Sequence, residues 1–474
     1  MRVLFVSAEV TPFAKAGGLA DVALALPKAL HALGADVRVV MPKYRRIADA
    51  ASPTAICRTE VPLDDRSYAC VAMEDRLPGS SVPIYFLEND AFFDRPEIYG
   101  EGSEYPDALA RFAFLSRGAL QLCEEIDWIP DVVHANDWHS CLISGFLGDG
   151  AVPRLAEAKT ILTIHNLGYQ GVFPSAQQEV PGLSPQAMAP FLQNGRINLL
   201  KGGILTFDLI NTVSETYAKE ILVDGAGLEA ELGMRREDLY GVINGVDGDV
   251  WNPATDEHLW ATYDAGDLTG KAENKARLQA ELGLEQTPET PLLGVISRLA
   301  EQKGFDLIME GFDRMMDLGV QLTLLGTGEP EYEAFFREAQ NRYPGSVSAQ
   351  ITFSEAWAHR IEAAADAFLM PSHYEPSGLN QQYSLLYGTV PIVRATGGLV
   401  DTVQECDAAA NTGTGFLFKD PTAEAFLAAV RRAVTLYRED PSGWTGLVDR
   451  GMRQDLSWQK SAEAYCGLYE RLLG

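Results

Sequence analysis

The chain has 474 residues, 46% of them hydrophobic and 22% charged, a composition that excludes collagen, coiled coil and wholesale disorder. Its 66 acidic residues against 38 basic ones give a net charge of −28, which excludes general binding to nucleic acid or to an anionic membrane surface but not a small anionic ligand held by a few local cations. No apolar run approaches the ~18 residues of a membrane span, and six cysteines without a CxxC pair predict reduced core thiols and a cytoplasmic protein.

The length suits roughly three domains of ~150 residues or two large α/β domains. Met1 to Val10 has one arginine and an apolar stretch too short for a leader peptide, so it reads as a first strand. Val3 to Ser7 is that strand, Gly17 and Gly18 break it, and a helical pattern runs through Leu24, Leu26 and Leu30 to a stop at Gly34. Val37 to Met41 is strand again, which completes a βαβ unit and predicts a parallel sheet. Further buried-strand runs follow at Val82 to Leu87, Val132 to His134 and Thr160 to His165. Asn244-Gly245-Val246-Asp247 and Trp251-Asn252-Pro253 have linker composition, so a boundary is expected between Asn244 and Pro253.

The second half repeats the theme. Leu292 to Ser297, Gln321 to Leu325, Ser348 to Phe353, Ala367 to Pro371 and Val390 to Val393 read as strands. Phe305 to Leu318, Glu331 to Asn341, Glu355 to Ala365 and the stretch around Gln381 to Leu386 read as helices between them. Short strands, apolar on both faces and each followed by a helix, predict a doubly wound sheet. Ser457 to Leu473 is helical with no strand after it and is expected to cross back onto the first domain. The expected architecture is α/β, with two Rossmann-like doubly wound parallel-sheet domains facing across a cleft. Residues 1–248 form one, residues 249–456 the other, and 457–474 the returning helix.

In such sheets ligands bind at loops after strands, so those loops carry the chemistry. Lys15-Ala16-Gly17-Gly18-Leu19-Ala20-Asp21 offers bare amides at a helix start and one cation, which suits a pyrophosphate; a tight βα turn with a surface lysine is the other reading. Ser297-Arg298-Leu299 with Gln302-Lys303-Gly304 puts two cations at a strand end, either for phosphate oxygens or as a solvated turn. Glu375-Pro376-Ser377-Gly378-Leu379-Asn380-Gln381 opens a helix. Its amides could meet a phosphate and Glu375 could accept from sugar hydroxyls, or the residues could be plain caps. Thr396-Gly397-Gly398-Leu399 adds a second glycine turn.

In the first half, His134-Ala135-Asn136-Asp137-Trp138-His139 and Thr163-Ile164-His165-Asn166 combine carboxylate, imidazole and indole, a set that suits a carbohydrate. Tyr99 and Trp138 are the candidate stacking rings, while His134 reads as well as a satisfied core histidine. The spacing of His134, Asp137 and His139 matches no zinc pattern. Asp247-Gly248-Asp249 reads as a turn rather than a metal-holding DxD. No metal or cofactor is expected.

Together, and in this order, these motifs resemble the bacterial glycogen synthase and plant starch synthase family, over the whole chain. The opening Ser7-Ala8-Glu9, Leu167, Tyr169-Gln170-Gly171 and Trp251-Asn252-Pro253 belong to the same pattern. Two positions depart from it: Ala16 stands where the family usually has threonine, and Ser377 where it usually has cysteine. The resemblance implies the two-Rossmann GT-B architecture and a retaining glucosyl transfer from ADP-glucose to the non-reducing end of an α-1,4-glucan such as glycogen, releasing ADP. It implies catalytic roles for Glu375, Lys303, Arg298, His165 and Lys15. Donor contacts are implied at Lys15, Gly17, Gly18, Asp21, Asn244, Arg298, Gln302, Lys303, Phe353, Glu375, Ser377, Gly378 and Leu379, with Phe353 beside the adenine. Acceptor contacts are implied at Asp137, Trp138, His139 and Tyr99. Rival readings are a GT-B glucosyltransferase with another donor or acceptor, and a catalytically silent glucan-binding protein.

Overall fold

The apolar opening run forms β1 (Arg2–Val6), the centre of a nine-stranded sheet. A computed structural model of the chain describes residues 1–100 and 103–474. They divide into two units, Met1–Asn244 with Trp458–Gly474, and Gly245–Ser457. After β1 the helix Leu19–Ala32 buries Leu19, Val22, Leu26 and Leu30, one face at a spacing of three and four. It ends before Gly34, whose φ of +94° a side chain would resist.

The remaining strands of the first sheet are β2 (Asp36–Pro42), β3 (Thr54–Leu63), β4 (Arg66–Arg76), β5 (Pro83–Glu88), β6 (Val132–Asn136) and β7 (Lys159–Ile164). A separate three-stranded sheet holds β8 (Val172–Pro174), β9 (Leu192–Gln193) and β10 (Arg196–Asn198). The large sheet then gains β11 (Leu209–Thr212) and β12 (Leu239–Gly241), in the order β12-β11-β7-β6-β1-β2-β5-β4-β3.

From β12 to β5 every pairing is parallel. The parallel-sheet expectation needs correcting at one edge, where β5–β4 and β4–β3 pair antiparallel. Asp64 and Asp65, with Asp64 at φ +53°, make the two-residue turn of this hairpin. β3 alternates exposed and half-buried residues for most of its length, as befits an edge strand with one wet face.

The last helix, Trp458–Leu473, belongs to the first unit. Tyr465 and Tyr469 are fully buried in its core. The Asn211 side chain donates to the Tyr465 hydroxyl at 2.8 Å, and the Tyr469 hydroxyl lies 2.7 Å from His134 Nδ1.

The second unit holds six strands, all parallel: β13 (Leu292–Ile296), β14 (Gln321–Leu325), β15 (Val347–Gln350), β16 (Ala367–Met370), β17 (Val390–Arg394) and β18 (Phe416–Phe418). Their order is β15-β14-β13-β16-β17-β18. Counted within the unit this is the doubly wound order 3-2-1-4-5-6, which reverses between β13 and β16. The first sheet reverses in the same way between β1 and β6. Helix Phe305–Met316 follows Gly304 (φ +73°) and buries Phe305, Ile308, Phe312 and Met315. Among the described residues no helix is long and apolar enough to cross a membrane.

Candidate active site

In the second unit the loops after β13 and β16 emerge on either side of the reversal point, where a crevice forms for geometric reasons. A cavity of about 230 Å³ lies there, lined by Arg298, Lys303, Ser372, Glu375, Gly378 and Leu379 among others. Glu375 is 6% exposed, and its Oε2 receives Lys303 Nζ at 2.6 Å and the Ser372 hydroxyl at 3.1 Å. Arg298 Nη2 reaches Gln302 Oε1 at 3.5 Å, and Gln302 Nε2 donates to the Tyr374 carbonyl at 3.3 Å.

The carboxylate loop is braced from three sides. Arg394, at the end of β17, donates Nε to the Ser372 carbonyl at 2.8 Å and Nη2 to that of His373. His373 Nε2 pairs with Asp306 at 2.9 Å, and its backbone N–H donates to the Gln302 carbonyl at 2.9 Å. Gly398 N–H donates to the Glu375 carbonyl at 3.1 Å. A Cβ at Gly397 would fall 2.0 Å from that same carbonyl oxygen, so only a bare backbone fits. Gln381 donates to the carbonyls of Ser377 and Gly378, each at 3.0 Å, and holds the turn in which Gly378 has φ +68°. The Ser377 hydroxyl is buried and finds no hydrogen-bond partner among the described residues.

Gln302 and Ser377 adjoin the lining residues in sequence without joining them, and two further expected donor residues lie outside the lining as well. Phe353, 86% exposed on the loop after β15, is not part of the cavity lining, and Asn244 is the last residue of the first unit before the break. Asp247 accepts the Asp249 N–H at 3.0 Å, an Asx turn.

In the first unit the loops after β1, β6 and β7 bring together Glu9, Asp137 and His165. Asp137, at φ +54°, accepts the His165 N–H on Oδ1 at 2.7 Å, and His165 Nε2 lies 2.9 Å from Asn136 Oδ1. Burial pushes the Asp137 carboxyl up to about 7, against the pull of the backbone N–H groups of His165 and Asn166. Loss of hydration lowers the His165 ring to about 3, so it is neutral. His134 is a core histidine, held between Tyr469 and the Thr163 hydroxyl (Nε2 to Oγ1 2.8 Å) and likewise lowered to about 3.

Five expected site residues of this unit are engaged within the protein. Trp138 is 3% exposed, its ring covered by His139 (centroids 4.0 Å), Phe112 (4.9 Å) and Phe173 (5.8 Å), so it offers no face to a sugar. His139 is 6% exposed and stacked on Tyr99 at 5.0 Å, so these two rings face each other. The Gly17 N–H is not open to a phosphate: it donates to Glu9 Oε2 at 2.9 Å. Asp21 takes Lys15 Nζ at 2.7 Å and the Thr11 hydroxyl at 3.0 Å, which places it as the holder of Lys15.

Sequence reasoning assigned no role to Glu9, Ser372 or Arg394. For Glu9 a signal existed, a carboxylate directly after the first strand and ahead of a glycine loop. Among the described residues no group of three or more His, Cys, Asp and Glu side chains could hold a metal ion.

Two doubly wound units with charged loops at their reversal points define the GT-B class of glycosyltransferases. The starch synthase catalytic domain family matches residues 2–234, and the glycosyl transferases group 1 family matches residues 281–442. The glycogen synthase of Anaeromyxobacter sp. (strain Fw109-5) is 46% identical, and that of Thermotoga maritima 43%, each over 100% of this chain and 99% of the relative. The solved catalytic domain of starch synthase IV from Arabidopsis thaliana, bound to ADP and acarbose, is 35% identical. It superposes with a TM-score of 0.91 over 99% of both chains. Sucrose-phosphate synthase from Thermosynechococcus elongatus, 18% identical with a TM-score of 0.60, shares the fold. The chain belongs to the glycogen synthase and starch synthase family.

Proposed function

We propose that the protein transfers glucose from ADP-glucose to the non-reducing end of an α-1,4-glucan such as glycogen, with retention of configuration and release of ADP. The observation that carries this reading is the cavity in which Arg298 and Lys303 flank the buried carboxylate of Glu375. When a nucleoside diphosphate leaves, negative charge builds on its phosphate oxygen while the sugar becomes cationic at its anomeric carbon. Cations held in place before the reaction stabilise that charge without reorganising. Lys303 is held by Glu375, so it meets the diphosphate already oriented.

Glu375 accepts from hydroxyls of the transferred glucose. The bond from the anomeric carbon to the phosphate oxygen breaks as the bond to the acceptor oxygen forms on the same face, and the acceptor's proton passes to the leaving phosphate. Lys15 serves a donor phosphate oxygen and Phe353 stacks on the adenine. Asp137 binds a sugar hydroxyl, and the neutral His165 contacts the glucose. The starch synthase relative solved with ADP supports an adenine donor. The six cysteines are free thiols, which fits the reducing cytoplasm where we place the protein.

The test is incorporation of labelled glucose into glycogen from ADP-glucose, with UDP-glucose in parallel. Label that enters glycogen from ADP-glucose, with ADP released in equal amount, supports the reading. Glycogen binding without ADP release refutes it in favour of a silent binding protein.

A further inference from the structure

The loop that carries Lys15 is bonded to a side chain that the proposed chemistry does not use. Glu9 is 4% exposed, and its backbone is pinned by Ser7: the Ser7 hydroxyl donates to the Glu9 carbonyl at 2.7 Å, and the Glu9 N–H approaches Ser7 Oγ at 3.3 Å. One carboxylate oxygen, Oε2, accepts the N–H of Ala16 at 2.5 Å and of Gly17 at 2.9 Å. The other, Oε1, accepts the Tyr99 hydroxyl, and the Tyr99 ring stacks on His139 with 25° between planes. A Cβ built on Gly17 would meet nothing within 4 Å, so the loop backbone turns its N–H inward to Glu9 and its bare face to open space.

A buried carboxylate with three donors is a strong anchor, because charge-assisted bonds are the strong ones and breaking them strands a charge away from water. It also puts a negative charge on the Ala16 and Gly17 amides, which would otherwise attract a phosphate.

We propose that Glu9 is a positioning residue for glucosyl transfer: its carboxylate ties the Lys15–Gly18 loop to the Tyr99 ring, so that the cation and the ring are set by one side chain. This rests on the functional reading above, in which Lys15 serves the donor. The structural half, loop capping, stands without it.

The experiment compares Glu9→Ala, Glu9→Gln, Tyr99→Phe and the Glu9→Ala/Tyr99→Phe pair with the parent chain. Donor and acceptor KM and kcat are measured separately, alongside trypsin cleavage after Lys15 without substrate. Glutamine can still accept both amides through its carbonyl and meet Tyr99 through its NH₂ group. Glu9→Ala should raise the donor KM about tenfold, the effect of losing charge-assisted bonds, and leave the acceptor KM within about twofold. Glu9→Gln should return the donor KM to within about threefold of the parent. Cleavage after Lys15 should be faster in Glu9→Ala than in Glu9→Gln or the parent. Adding Tyr99→Phe to Glu9→Ala should change the donor KM less than Tyr99→Phe does alone.

Parental donor KM and parental cleavage in Glu9→Ala overturn the proposal, as do equal losses in Glu9→Ala and Glu9→Gln. If Glu9→Ala does not fold, Glu9→Gln and Tyr99→Phe decide: the proposal requires a raised donor KM and faster cleavage in Tyr99→Phe and near-parental values in Glu9→Gln. A parent chain inert with ADP-glucose refutes the functional reading, and the proposal with it, while the cleavage rates separately report whether Glu9 caps the loop.

Discussion

Lys303 Nζ and Glu375 Oε2 stand 2.6 Å apart, with the Ser372 hydroxyl on the same oxygen. The lysine is a neighbour of Gly304, the carboxylate follows β16, and the sequence between them spans most of the unit's core. Each partner fixes the other: the carboxylate orients the ammonium, and the cation cannot swing freely into solvent.

Replacing either partner therefore has two effects. Lys303→Ala should lower kcat for glucosyl transfer about a hundredfold or more, since a preorganised charge at the leaving group is lost. It should also lower the melting temperature, because among the described residues the Glu375 carboxylate is then left with the Ser372 hydroxyl alone. Glu375→Gln should lower kcat comparably with a smaller effect on melting, because an amide can still accept from Ser372. Steady-state kinetics beside calorimetric melting curves separate the two.

Phe353 offers a contrasting case. At 86% exposure it contributes little to folding, so Phe353→Ala should change stability by no more than about 0.5 kcal/mol. If it stacks on the donor's adenine, the donor KM should rise about tenfold with kcat little changed, since a stacked base is worth ~1–3 kcal/mol.

Gly397→Ala tests the bracing of the carboxylate loop. The added Cβ meets the Glu375 carbonyl oxygen at 2.0 Å, and φ is +46°. The loop must shift, with a cost of about 1–3 kcal/mol in unfolding free energy that Gly17→Ala, at an open position, does not incur. Chemical denaturation of both variants checks this.

The first unit predicts a particular acid response. His134, His139 and His165 are each lowered to about 3 by loss of hydration, so their contribution is present above the unfolded value of about 6.5 and is lost as pH falls toward 3. Asp137 runs the other way. Its carboxyl is raised to about 7 by burial, so its contribution is full below about 3.9 and disappears as pH rises through 7. At pH 5 unfolding should take up about three protons through the histidines and release about one from Asp137, a net uptake of about two from these four groups. The slope of stability against pH near 5, compared between the parent and His134→Asn, measures it: the variant should lose about one proton of uptake.

Much of this molecule is legible in its sequence because buried parallel strands announce themselves. Gln321–Leu325 is apolar enough on both faces that its ends agree with the structure, and the strand-end motifs at Arg298, Lys303 and Glu375 do line one cavity. What stayed hidden depends on distant partners. Trp138 sits at a strand end like a sugar-stacking ring, but Phe112 and Phe173 come from elements whose placement no local pattern reveals. Arg394 sits 19 residues beyond Glu375, and only the β16–β17 pairing puts its guanidinium against Ser372 and His373. The hairpin β3–β4 is hard to read because β3 interleaves charged residues with apolar ones and no helix separates it from β4, so the βαβ pattern does not extend to this edge.

The returning helix has a consequence for how the molecule comes to exist. During synthesis on a ribosome, residues 1–244 emerge with His134 and Asn211 still lacking the tyrosine hydroxyls that will meet them, and those hydroxyls are translated only after residues 245–457. One unit is thus completed only after its companion has been made.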